Sequence, residues 1–209
     1  YNRHIFRLED HLHRLKKSAQ KLQIKLPFSE IRLKHLTLLT VAKNNIKDAL
    51  LRISLTRGTS RFGYETAENS RPTLVIAPRL IEKRPVSDYH RGVRISIVSV
   101  RRPPSQVLDA SIKSANFLNN VMARIEATRQ GAAEGLMLTL RGFIAEGSVS
   151  NLFIVKNNRL YTPDPRLGIL PGITRALILH LAGRAKIKTS EARLRPADLF
   201  RADECFLTN

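Results

Sequence analysis

The sequence predicts a mixed α/β protein with a helix-bearing first half and an antiparallel-rich second half. Three observations carry that expectation. Leu8, Leu12, Leu15, Ala19 and Leu22 recur at spacings of four and three, the repeat of a helix that buries one face. Residues 135–163, "GLMLTLRGFIAEGSVSNLFIVKNNRLYTP", break into short apolar runs separated by turn-forming pairs. The polar, turn-rich "EKRPVSDYHRG" lies between two strand-bearing halves.

In chain order, "LPFSE" ends the first helix, and Ser29 is placed to cap a second that runs to about Lys43. "ALLRISLTRG" reads as a strand closing in a glycine turn, and "RPTLVIAP" as a strand bounded by prolines. Residues 83–91 are taken as an interdomain linker, which leaves a small α/β domain over 1–82 and a larger domain over 92–209. The larger one opens with the strand "VRISIVSV" and passes through the irregular "RRPPSQVLDASIKS". A helix follows, its face formed by Phe117, Leu118, Val121, Met122 and Ile125 and its end marked by Gly131. Turns are expected at Arg141-Gly142, near Gly147, and at Asn157-Asn158. "PGITRALILHLAG" starts a helix on a glycine, and "ADLFRADECFLTN" approaches a last strand.

Composition bounds the function. With 43% apolar and 25% charged residues in 209, the chain is globular rather than disordered. No apolar run reaches membrane-spanning length, and "YNRHIFRLEDHLHRL" has no signal-peptide core. A single cysteine, Cys205, excludes an internal disulfide framework and any multi-cysteine metal site, which points to a cytoplasmic protein. His11 and His13 lack metal-type partners at suitable spacing. The formal charge of +19 gathers anions. The cations are nevertheless dispersed among polar and apolar residues. Only 6% of residues are aromatic and none is tryptophan, which argues against a nucleic-acid partner and for a solvated surface.

Four local features could carry chemistry. Lys113, in "SIKSANFLNN", sits at the junction of a connection and a helix; it either solvates the helix start or is an amine held out of water so that it can react. Glu146, in "FIAEGSVSN", lies on a run apolar enough to bury it, where an unpaired charge is costly, so it needs a partner such as a protonated ring nitrogen. In "PGITR", Gly172 allows close approach, and Ile173 and Thr174 open a helix whose free N–H groups favour an anion. Arg14 would lie on the first helix, where its fork suits phosphate. Singly, each also fits an ordinary solvated or capping residue. Together they are the set that an aldehyde cofactor with a basic ring nitrogen and a phosphate requires.

The stretches "EDHLHRLKKSA", "LTRGTSRFGY", "IKSANFLNNVMARIEA", "FIAEGSVSNLFIV", "LYTPDPRLGILPGITRALIL" and "ADECFLTN" resemble, in order and spacing, the class IV (fold type IV) pyridoxal-phosphate enzymes. That family holds branched-chain and D-amino-acid aminotransferases and aminodeoxychorismate lyase. The resemblance implies a two-domain fold with a barrel-like, cofactor-binding C-terminal domain, and a homodimer. It implies that Lys113 is the Schiff-base lysine and proton shuttle, that Glu146 pairs with the pyridine nitrogen, and that Arg14, Gly172, Ile173 and Thr174 hold the phosphate of pyridoxal 5'-phosphate. Substrates would be an amino acid and a 2-oxo acid.

The branch is mixed. Asn116 and Phe117 follow Lys113 with the spacing of the D-amino-acid and lyase branch. "SRFGYE" lacks the arginine-x-histidine pair of typical D-amino-acid enzymes and leaves Arg61 as a candidate for the substrate carboxylate. Amino-group transfer is the expected reaction; pyruvate elimination from aminodeoxychorismate is the alternative, and a non-catalytic basic binding module a second one. Both ends stop short of the family's usual length, so the chain reads as a fragment expected to bind cofactor poorly.

Overall fold

A computed structural model describes residues 1–59, 71–81 and 85–209. The chain divides into two compact units, Tyr1–Arg84 and Pro85–Asn209.

The first unit contains α1 (Leu8–Lys21), α2 (Glu30–Asn44), β1 (Ala49–Thr56) and β2 (Thr73–Leu80). Of the expected apolar repeat, Leu8, Leu12 and Ala19 are buried and Leu15 is half-buried, whereas Leu22 follows the end of α1 and is exposed. Leu8 and Leu12 are buried against Leu33 of α2, with Ile53 and Leu74 of the strands packed on the cluster. Ser29 caps α2 by accepting the Arg32 N–H at 3.2 Å. The helix stops at Asn45, whose left-handed φ of 49° is one asparagine tolerates. β1 and β2 pair antiparallel along their whole length, Ala49 opposite Leu80 and Thr56 opposite Thr73.

The second unit runs α3 (Val86–Arg91), β3 (Ile95–Arg102), α4 (Leu118–Arg129), β4 (Glu134–Thr139), β5 (Ile144–Gly147), β6 (Asn151–Lys156), β7 (Arg159–Pro163), α5 (Ile173–Arg184), β8 (Lys188–Ala192), α6 (Pro196–Phe200) and β9 (Glu204–Thr208). Of the expected linker, residues 83 and 84 lie outside the described residues, and 86–91 form α3.

The strands make two sheets, ordered β3-β4-β5 and β8-β7-β6-β9. β3–β4 and β7–β8 are parallel; β4–β5, β6–β7 and β6–β9 are antiparallel. Leu136, Leu138 and Ile144 of the first sheet meet Leu152 and Ile154 of the second, and Leu194 completes that core. The alternate residues face outward into two further clusters. Val98 and Met137 pack with Ala123 and Ala127 of α4. Phe153 and Leu160 pack with Ala182 of α5. Helix, sheet, sheet and helix therefore form layers, and strand period two assigns each side chain to its layer.

The expected turns are present. Gly142 takes a φ of 75°, and Asn157 and Asn158 take 51° and 56°, the left-handed pair of a two-residue hairpin turn. The face expected on the helix after Lys113 is reversed in use. Phe117, Leu118, Val121, Met122 and Ile125 are all exposed, and the fully buried residues of α4 are Ala123 and Ala127. The reason is the closeness of α4 to β4. A Cβ on Gly135 would lie 2.7 Å from the Ala123 carbonyl oxygen and 3.0 Å from the Ala127 Cβ, so only small side chains fit that interface.

Candidate functional site

Glu146 is the centre of the charged groups in the second unit. It lies on the short strand β5, is 5% exposed, and is held by three donors. Its Oε1 is 3.0 Å from Nη2 of Arg102. Its Oε2 accepts the Leu170 N–H at 2.9 Å and the Asn151 amide at 3.4 Å. Arg102 is the last residue of β3 and is itself buried, with Nε donating to the Gly168 carbonyl at 3.1 Å and Nη1 to the Asn119 and Asn120 side chains at 3.3 and 3.2 Å. Burial pushes the Glu146 carboxyl up to about 7; Arg102, the Leu170 N–H and the charge of Lys113 oppose the rise, and the Glu134 carboxylate adds to it.

The Leu170 segment leads directly into α5. Asn151 donates to the Leu170 carbonyl at 3.0 Å, and a Cβ on Gly172 would fall 2.1 Å from Asn151 Oδ1, so glycine is required where the chain passes β6. Gly172 is the N-cap of α5 and no side chain caps the helix, which leaves the first N–H groups to other partners. The Thr174 hydroxyl donates to the Asn209 carbonyl at 2.7 Å. Arg175, the end of "PGITR", is buried on the Pro163 carbonyl, the Thr162 hydroxyl and Glu191, and ties α5 to β7 and β8.

Glu134, which the sequence did not single out, fixes the turn after Glu146. Its Oε1 accepts from the N–H groups of Gly135 and Ser148 and from the Ser148 hydroxyl, and its Oε2 from the Ser150 hydroxyl at 2.8 Å and the Val149 N–H at 3.3 Å. Burial alone would raise its pKa, but these bonds outweigh burial and hold it below the usual carboxylate range. Its contribution is therefore present above the ordinary carboxylate pKa and is lost as pH falls. Glu134→Ala strands these donors in a buried turn and is expected to cost at least about 3 kcal/mol, read as a drop in the urea midpoint at pH 7.

The second unit thus brings Lys113, Glu146 and the Gly172-Ile173-Thr174 start of α5 into one structure. Lys113 lies on the irregular connection 103–117 between β3 and α4, and it is exposed rather than withdrawn from water. Its charge still reaches Glu146. Arg14 belongs to the first unit, half-buried on α1, where loss of water lowers its pKa. Arg61 lies outside the described residues.

The family model described as amino-transferase class IV matches residues 1–209. The chain belongs to the class IV aminotransferases. It is therefore an enzyme sequence of amino-group transfer, as its motifs imply. This aminotransferase is 37% identical over its whole length to a Methanocaldococcus jannaschii protein provisionally named a branched-chain-amino-acid aminotransferase, and spans 71% of it. It is 32% identical to the D-alanine aminotransferase of Bacillus licheniformis, spanning all of this chain and 72% of that one. It is 30% identical to the aminodeoxychorismate lyase of Bacillus subtilis, over 98% of this chain and 69% of that one. The branched-chain aminotransferase of Thermoproteus uzoniensis, crystallised with norvaline, superposes with a TM-score of 0.90 at 31% identity, over 98% of this chain and 68% of that one. Fold type IV is thus the fold of this aminotransferase.

Sequence reasoning missed Arg102, Asn151 and Glu134 in the aminotransferase. Arg102 reads as one of 36 dispersed cations, and only a contact map distinguishes it. Asn151 carries the one local signal, a polar residue opening the otherwise apolar "NLFIV". The raised pKa of Glu146 also carries a stability consequence. A carboxyl whose folded pKa exceeds its unfolded value contributes stability that is full below about 4.5 and lost as pH rises through about 7. In the cofactor-free protein, Glu146→Gln is expected to match the wild type near pH 5 and to exceed it near pH 8 by at most about 3 kcal/mol. Urea unfolding at the two pH values checks it; equal differences at both would show that Glu146 does not titrate in that window.

Proposed function

We propose that this aminotransferase uses pyridoxal 5'-phosphate, with Lys113 as the amine that reacts with the cofactor's carbonyl, to move an amino group between a branched-chain or D-amino acid and a 2-oxo acid. The observation that carries the reading is Glu146: a buried carboxylate held by three donors, tied through Leu170 to an uncapped helix start. A carboxylate has about four acceptor directions. Two on Oε2 are filled by Leu170 and Asn151 and one on Oε1 by Arg102, so the direction open among the described residues is on Oε1.

The donor set fits the cofactor. A protonated ring nitrogen matches the open direction on Glu146, and a phosphate matches the N–H groups at Ile173 and Thr174. Thr208 is opposite Asn151 in the β6–β9 register, so the two side chains share a face, and its buried hydroxyl has no partner among the described residues. When bound, the cofactor supplies an electron-withdrawing ring that stabilises negative charge on the substrate's α-carbon. The chain supplies the rest. Glu146 would hold the proton at the ring nitrogen, Gly172, Ile173 and Thr174 would hold the phosphate, Arg14 is assigned to the same phosphate, and the Lys113 amine would remove and return the α-proton. Arg61 is assigned to the substrate carboxylate. A cytoplasmic homodimer, with the second unit as cofactor-binding domain, belongs to the same reading.

The test supplies branched-chain amino acids and D-alanine with a panel of 2-oxo acids, and separately aminodeoxychorismate. Amino transfer that depends on both an amino donor and a 2-oxo acid is expected. Release of p-aminobenzoate without any such transfer would replace this reading by the lyase one, which the similarity to the Bacillus subtilis enzyme favours.

A further inference from the structure

We propose that Arg102 is a positioning residue of this site: its buried guanidinium favours the ionised form of the Glu146 carboxylate and fixes it toward the ring nitrogen it serves. The proposal rests on the reading of Glu146 above. Its own support is geometric.

Arginine offers five N–H groups in a rigid plane. Here four are engaged by four acceptors on three separate segments: the Gly168 carbonyl, the Asn119 and Asn120 side chains at the start of α4, and Glu146. The anchors are themselves anchored. Asn119 donates to the Arg101 carbonyl at 3.0 Å and Asn120 to the Ser148 carbonyl at 2.7 Å, next to the turn that Glu134 pins. A side chain held on that many sides cannot follow Glu146 if it moves, so Glu146 must stay where Arg102 is. Both are nearly sealed from solvent, with side-chain exposures of 7% and 6%.

The charges facing Glu146 are few. Arg102 faces it from β3, Lys113 from the connection before α4, and Glu134 from β4; Asn151 of β6 and the Leu170 backbone are neutral. Lys113 is exposed and is assigned to the cofactor's carbonyl, which leaves Arg102 as the fixed cation. Burial drives Glu146 toward its neutral acid, and a neutral acid cannot keep a positive ring nitrogen protonated. Arg102 is the group that opposes burial most among those acting on Glu146.

The experiment starts on the cofactor-free protein. The 13C carboxyl signal of Glu146, assigned by its loss in Glu146→Gln, is followed with pH. In the wild type the midpoint is expected near 7. Removing an opposite charge at this distance moves a carboxyl by about one unit or more, so the midpoint of Arg102→Gln is expected to rise by that much, while Arg102→Lys, which keeps the charge, stays near the wild type. A midpoint unmoved in Arg102→Gln overturns the proposal. If that variant does not fold, Arg102→Gln/Glu146→Gln decides: recovery of the fold shows that Arg102 serves the Glu146 charge, and continued failure overturns the proposal. The loaded protein then separates the two claims. A midpoint shift accompanied by an equal upward shift of the acid limb of the rate profile supports both. A midpoint shift with an unchanged profile leaves Arg102's hold on Glu146 intact and removes Glu146 from the ring nitrogen.

Discussion

Lys113→Ala is expected to lower amino transfer by at least about 10⁴-fold while the protein remains folded. Two functions are assigned to this one amine, attack on the cofactor's carbonyl and carriage of the substrate's α-proton. General acid–base catalysis alone contributes up to about 10⁴-fold, before the loss of the nucleophile is counted. Lys113 is an exposed residue of an irregular connection and belongs to none of the core clusters, so the truncation should leave the fold intact. Lys113→Arg is expected to fail as well. A guanidinium keeps the charge near Glu146 but stays protonated at any working pH and cannot attack a carbonyl. The two variants together distinguish an amine that reacts from a cation that only attracts. Borohydride reduction of the loaded wild type, followed by peptide mapping, should place the pyridoxyl group on Lys113. A label on another lysine, or an arginine variant with near-normal turnover, would remove Lys113 from the chemistry.

Glu146→Gln is expected to keep the cofactor and lose about 100-fold or more in single-turnover rate. The amide is nearly the same size and can still accept from Arg102 or from Leu170, so the local geometry survives. What it lacks is the negative charge that keeps a proton on the ring nitrogen. Loss of one preorganised electrostatic partner in a buried site typically costs about 10²- to 10³-fold. The same substitution is expected to stabilise the cofactor-free protein near pH 8, because it removes a charge that burial disfavours. Faster unfolding together with a lost rate would mean that the amide had damaged the fold, and unchanged single-turnover kinetics would refute the role of Glu146.

Much of the fold can be read in the residues because local chemistry settles it. The α1 repeat, the Ser29 cap, the Asn157-Asn158 turn and the strand runs from Gly135 to Pro163 are decided by neighbours in sequence. β8 was not legible, since "KTSEA" has no apolar alternation and is a strand only because β7 offers it a parallel edge. The use of α4 was misread for a related reason. Hydrophobic period marks which residues share a face, but the glycine on β4 decided which face could approach. In the site, Lys113, Glu146 and the α5 start stood out through type and position, whereas Arg102 has no local signature. It becomes distinctive only when β3 and β5 are brought into one sheet through β4.

The tight seat of α4 on β4 also sets how this site can tolerate change. Gly135, Ala123 and Ala127 are assigned no part in the chemistry, yet α4 carries Asn119 and Asn120 at its first turn, and those two orient Arg102. A methyl group added at Gly135 has nowhere to go except against the helix, and a helix pushed outward takes Asn119 and Asn120 with it. Drift in this lineage should therefore be confined at a position that looks like inert packing, while the large exposed side chains on the opposite side of the same helix are free of that constraint. The small-residue seam acts as a mechanical stop for a charge in the neighbouring sheet.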